Sequence, residues 1–224
     1  MMKAAPPKAV TRELQEIRAS IKAEFDSENG SHDWGHIERV LALCETIRRR
    51  EGGDRRVIEL AALLHDVGRL ARVKQAVRLG GHARRGAVEA RRVLASMRVE
   101  AGTIDAVVHC IEAHSYRHGV VPLTVEARVL FDADKLDSIG AMGVGRAFLF
   151  AGEIGAKAHN EAGVNVLETS AMGREDTAYR EYMFKLRHIK DRMHTKEGRR
   201  LARARHNFMK KFFDELVLEA AGRA

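Results

Sequence analysis

Proline occurs three times in the 224 residues, at Pro6, Pro7 and Pro122. The stretches 8–121 and 123–224 therefore contain no residue that locks φ and deletes a backbone donor, and long helices can run through them unbroken. The apolar residues use that freedom. They recur at helical spacing, as in Leu14, Ile17, Ile21 and Phe25, and again in Ile37, Val40, Leu41, Cys44 and Ile47. No Val/Ile/Thr-rich alternating run marks a strand. The pattern predicts an all-α fold of roughly eight or nine helices. Residues 1–10 read as a flexible N-terminal tail and residues 11–221 as a single helical domain.

Punctuation residues set the expected boundaries. Thr11 caps a helix to Phe25, and Asp26 to Gly30 is a turn. Asp33 caps a helix from Trp34 to Glu51, which Gly52 and Gly53 end. Asp54 caps a helix over 55–67. Leu70 to Gly81 reads as a partly ordered loop. Helices follow over His82–Met97 and Thr103–His114, with a connector to Pro122. A long helix from Thr124 carries Asp132, Asp134 and Asp137, and Gly140, Gly143 and Gly145 are expected to break or bend it before it resumes to Phe150. Residues 152–175 read as loop, and the last helices span 177–192 and 197–220.

A composition of 45% hydrophobic and 31% charged residues supports a sizeable core. The net charge of +8, mostly arginine and spread along the chain, suits phosphate-bearing partners: nucleotides, nucleic acid or an anionic surface. Cys44 and Cys110 form no CxxC pair and fall in apolar helical stretches, as core residues do. Neither a signal-peptide core nor an apolar run long enough to span a membrane occurs, so a cytoplasmic protein without membrane contact is expected. The oligomeric state leaves no mark in the sequence.

Chemistry concentrates in the order His36, His65-Asp66, Asp134. Two imidazoles and two carboxylates can hold one divalent ion and leave positions open for water and a phosphate oxygen. His65 and Asp66 end the run Leu60-Ala61-Ala62-Leu63-Leu64, and both face apolar neighbours one turn back. A buried carboxylate without a partner is costly, and a metal removes that cost. The competing view is a histidine on the helix dipole beside a capping aspartate. His36 lies in the first turn of its helix, and His32 precedes that helix. Asp132, with Arg128 and Lys135 at helical spacing, suggests a surface ion pair. Asp134 has Leu130 and Phe131 behind it and is the better ligand, while Asp137 shares its face and could orient a ligand or a water. Such a set suits Mn, Fe, Co, Ni or Zn without selecting among them. It would activate a bound water and polarise a phosphoryl oxygen.

The stretches SHDWGHIERV, LAALLHDVGR, IEAHSYRHG, EARVLFDADKLDSIGAMGVGRAF and RLARARHNFM together resemble the HD-domain metal-dependent phosphohydrolases. The likeness is to a bacterial subgroup similar to HD-type nucleoside triphosphate pyrophosphohydrolases, and it extends from about residue 12 to 218. The resemblance implies an all-α fold and a metal held by His36, His65, Asp66 and Asp134. It also implies hydrolysis of phosphate esters or anhydrides, often in nucleotides. Some such enzymes carry a Glu three residues after the His-Asp pair to place the attacking water. Here Arg69 stands there, so Asp137 or Asp66 itself is the candidate for that role.

Arg69 and Lys74 follow the pair and are candidate phosphate contacts. Lys135 adjoins Asp134, but its spacing to Asp132 argues for the surface. The resemblance places Lys185 and Arg187 near the site as further substrate contacts. Two-metal relatives carry extra histidines near the positions of His82 and His114, so a second metal is possible. His114 is otherwise a candidate general acid or substrate contact, and His109 and His118 have weaker claims. The expected activity is hydrolysis of a small nucleotide, a nucleoside triphosphate first. Two alternatives are a two-metal oxygenase or phosphodiesterase using His82 and His114, and a nucleic-acid-binding protein with a degenerate metal site. The latter draws on Arg199, Arg200, Arg203 and Arg205.

Overall fold

Two aspartates start the helices that build the site. Asp33 is extended, and its Oδ1 accepts the backbone N–H of His36 at 2.8 Å, opening α2 over Trp34–Glu51. Asp54 does the same for Arg56 and Val57, opening α3 over Arg55–Leu64. Each cap satisfies donors that a helix start leaves unpaired. The computed structural model describes residues 8–26, 33–77, 80–115, 119–161 and 163–223. Among these it contains α-helices and 3-10 turns and no strand, so the all-α expectation holds.

The remaining helices are α1 (Lys8–Asp26), α4 (Ala71–Ala76), α5 (His82–Ser96), α6 (Ala101–Ala113), α7 (Val125–Asp137), α8 (Gly140–Glu153), α9 (Ala178–Phe184) and α10 (Lys196–Ala220). The chain divides into two compact units, Met1–Ala133 and Asp134–Ala224, and the division falls inside α7.

In the first unit α3 is the central element. Val57, Ile58, Leu60, Ala61, Ala62, Leu63 and Leu64 are all buried. It packs against α1, α2 and α6, while α5 lies on α6 and on the 3-10 turn Val67–Arg69. Burial of each large aliphatic side chain contributes roughly 1.5–3 kcal/mol, and Leu60, Leu64 and Ile58 are enclosed almost completely. α3 ends at Leu64, short of the expected residue 67, because the chain turns there into the 3-10 segment. The expected loop after Leu70 contains α4, which seats Val73 in the core. The turn at 27–30 lies outside the described residues, as do His32 and His118.

In the second unit α10 packs on α8 and on the 3-10 segment Leu186–Arg192, and α8 packs on α9. Phe213 stacks on Tyr182 at 4.5 Å between ring centroids. The glycines expected to break the helix lie within α8 instead. Gly140 opens it with φ of +82°, a conformation that side chains disfavour. A side chain at Gly143 would meet the Ser138 carbonyl oxygen at 2.3 Å, so this glycine lets the turn from α7 into α8 close tightly. The expected helix over 177–192 is split at Lys185 into α9 and a 3-10 segment.

Candidate metal centre

Four histidines of the first unit gather around one carboxylate, and each sits at a helix end. His36 is in the first turn of α2, and His82 opens α5. His65 caps the C-terminus of α3, and His114 caps that of α6. The two C-terminal histidines are oriented alike. His65 Nδ1 lies 2.8 Å from the Ala62 carbonyl oxygen, and His114 Nδ1 lies 2.5 Å from that of Ile111. Each ring thereby satisfies a carbonyl left over at its own helix end and holds its Nδ1 as the donor. Nε2 is then the atom turned inward, and helix C-termini favour a cation there.

Asp66 is the centre of the group and is 1% exposed. Its Oδ2 faces His36 Nε2 at 3.7 Å and His65 Nε2 at 3.8 Å, and those two nitrogens are 3.2 Å apart. Its Oδ1 faces His82 Nε2 at 3.7 Å and His114 Nε2 at 3.8 Å, again with 3.2 Å between the nitrogens. Two donors that each bind one ion at about 2.1 Å stand roughly 3.0–3.4 Å apart, so both histidine pairs fit a shared ion. The carboxylate oxygens sit slightly farther off, at a wider angle. Each group of three therefore offers three convergent ligand atoms, buried except for half-buried His82.

Gly68 brings the second pair into place. A Cβ on this residue would meet the His82 carbonyl oxygen at 2.0 Å and the Gly86 backbone nitrogen at 2.5 Å. α5 can close on the His65-Asp66 turn only because both chains are bare there, and Arg85 Nε then donates to the Gly68 carbonyl oxygen at 3.1 Å. Sequence reading passed over Gly68. The glycine two residues after the His-Asp pair, matched by Gly86 in a helix interior, was the signal available.

Arg69 reaches back into the cluster. Its Nε donates to Asp66 Oδ1 at 2.7 Å, and an NH2 lies 3.2 Å from His82 Nε2. Lys74 is on α4 and exposed, part of a helix where a loop was expected. His109 accepts the Leu123 backbone N–H at 3.1 Å, away from this group.

The other expected site residues belong to the second unit. Asp134 is half-buried and receives Lys135 Nζ at 2.6 Å. Asp137 is buried and accepts from Arg146 NH1 at 2.7 Å, a partner that sequence spacing did not suggest. Lys185 pairs with Glu181 at 2.6 Å and is exposed, and Arg187 lies 3.3 Å from the Met183 sulfur. One expectation is corrected. Asp132, read as a surface ion pair, is fully buried. Spacing alone located potential partners for it but not its depth in α7.

Residues 33–139 match the HD domain family. YpgQ of Bacillus subtilis is 34% identical over 215 residues, covering 94% of this chain and 95% of that protein. A crystal structure of Bacillus subtilis YpgQ in complex with ADP is 30% identical with a TM-score of 0.71, covering 94% of this chain and 100% of that one. An HD-superfamily hydrolase from Bacillus thuringiensis is 26% identical with a TM-score of 0.73, over 94% of this chain and 97% of that one.

Proposed function

Since the chain belongs to the HD superfamily of metal-dependent phosphohydrolases, we propose that it hydrolyses a nucleoside triphosphate to the monophosphate and pyrophosphate. The observation that carries the reading is the buried convergence of His36, His65 and Asp66 on one point. The ADP bound to YpgQ supports a nucleotide as the ligand. In this reading His36, His65 and Asp66 hold the ion, and Asp134 is the fourth ligand that the family resemblance supplies. When bound, the metal acts as a Lewis acid toward water and a phosphoryl oxygen.

The chain's own groups do the rest. Asp66 would offer Oδ2 to the ion while its Oδ1 holds Arg69, whose guanidinium would serve a phosphate as a permanent cation. His114 Nε2 faces the same space, with its ring fixed through Nδ1, and can hold a proton for the leaving oxygen. The family resemblance assigns the attacking water to Asp137, which Arg146 holds, or to Asp66 itself. Lys74, Lys185 and Arg187 contribute positive charge for the distal phosphates.

A nucleotide panel with Mn²⁺, resolving phosphate from pyrophosphate and run beside Asp66→Ala, tests the proposal. Pyrophosphate is expected from triphosphates. Outer partners of metal ligands are already worth about 10–100-fold, so loss of Asp66 should cost more than that. Phosphate released from monophosphates instead would keep the reaction class and move the substrate. No turnover of any nucleotide would sink the reading. A second reading, with two metals bridged by Asp66, draws on the equal spacing of the His82/His114 group and predicts two ions per chain.

A further inference from the structure

The two groups of three around Asp66 share the same donor types and the same spacings, yet Arg69 reaches into only one of them with the contacts given above. We infer that the Arg69 guanidinium is the resident cation of the His82/His114/Asp66 group, and that it holds this chain to a single metal ion. The inference rests on the metal-binding part of the proposed function and is independent of the substrate.

The chemistry of the contacts carries it. A guanidinium has N–H donors and no acceptor. Its NH2 stands 3.2 Å from His82 Nε2, in the space that a second metal would need beside that nitrogen. Its Nε bond to Asp66 Oδ1 uses the oxygen that a bridging carboxylate would give to a second ion. Arg69 thus bonds one of the three ligand atoms and stands against a second. A divalent ion placed among them would also stand against a fixed positive charge with little water between to screen it. Arginine cannot relieve this by losing its proton.

The placement is built into the backbone. Arg69 ends the 3-10 turn that follows the His-Asp pair, and its own N–H donates to the Asp66 carbonyl oxygen at 2.9 Å. That turn is fixed against α5 through Gly68, so the start of the side chain lies beside Asp66. The side chain is 32% exposed. One edge of the guanidinium thus serves Asp66 and His82 while the rest is open to solvent, where it can meet a phosphate. Asp66 then balances one mobile cation, the metal, against one covalently attached cation.

Metal stoichiometry of the full-length protein tests this without reference to turnover. The chain is stripped with chelator, titrated with Mn²⁺ alone, and the bound metal is counted by elemental analysis and calorimetry. One ion per wild-type chain is expected. Arg69→Ala and Arg69→Gln should each bind two, with a spin-coupled Mn²⁺ pair in the paramagnetic resonance spectrum. Adding His82→Ala to either should return the count to one. Circular dichroism melts confirm that each variant is folded. Two ions in the wild type would overturn the inference even if neither variant could be purified. So would a single ion in folded Arg69→Ala and Arg69→Gln. No ion in any of these proteins would remove the metal centre itself, and the inference with it.

Discussion

At the scale of single residues, the candidate metal centre depends as much on a missing side chain as on the proposed ligands. Gly68 is hemmed in by backbone atoms of His82 and Gly86, which cannot rotate away as the end of a long side chain can. Gly68→Ala must therefore push α5 off the His65-Asp66 turn, and overpacking of this kind costs about 1–3 kcal/mol. The shift would move His82 relative to Asp66 and leave His36 and His65 in place. The expected outcome is a lower denaturation midpoint in urea with one Mn²⁺ still bound. Unchanged stability would mean that the turn relaxes freely and that Gly68 fixes nothing. The candidate ligand pair is legible in the sequence, because a His-Asp pair at the end of an apolar helix has few inexpensive explanations. It could not reveal that Asp66 faces two histidine pairs. That follows from the packing of α2, α3, α5 and α6, which local spacing does not encode. Nor could spacing show that Asp132 is buried, since a helical neighbour of opposite charge indicates a possible partner and says nothing of depth.

Among the elements, helices with capping aspartates were the most legible. Asp33 and Asp54 act on the helices that their positions suggest, because a cap is a contact within one turn. Boundaries set by distant partners were less so. The turn after Leu64, helix α4, and the start of α8 at Gly140 follow from packing that no short window contains. One such long-range tie joins three helices of the first unit. Glu89 on α5 binds Arg92 on the same helix at 2.8 Å and Arg72 on α4, and Arg72 reaches Glu24 on α1 at 2.9 Å. Arg92, and then Arg72, hold the Glu89 carboxyl below its ordinary value of 4.5 against the opposing effect of burial. A depressed carboxylate stabilises the fold above its unfolded pKa, and that contribution is lost as pH falls through the folded value. Glu89→Gln should therefore be less stable than the wild type by about 1–2 kcal/mol at neutral pH. The gap should close as both are acidified below pH 4.5. Chemical denaturation at a series of pH values checks this, and two parallel acid limbs would show that the Glu89 charge is not what matters.

For the whole molecule, the question is what the net charge of +8 serves. The basic run on α10 looks like a nucleic-acid contact in sequence, but the structure uses most of it internally. Arg199 donates to the Met193 and His194 carbonyl oxygens at 2.9 and 3.2 Å. Arg200 pairs with Glu197 at 2.6 Å, and Arg205 is half-buried with a bond to the Leu136 carbonyl oxygen. Arg203 is exposed. A run spent on capping helix ends and neighbouring turns makes a poor phosphate track, which weakens the nucleic-acid alternative. The remaining positive charge would act as a field that draws in small anions. For a nucleoside triphosphate, kcat/KM should then fall by about 3–10-fold as salt rises from about 20 to 200 mM, because screening shortens the reach of the field. The value of kcat should stay nearly flat, since in the proposed function the bound phosphates would contact Arg69 and the metal at short range, where added salt screens little. Steady-state kinetics over that salt series separates the two parameters. A flat kcat/KM would assign substrate capture to the local cations alone. Nucleic-acid binding that falls steeply with salt and survives Asp66→Ala would restore the alternative.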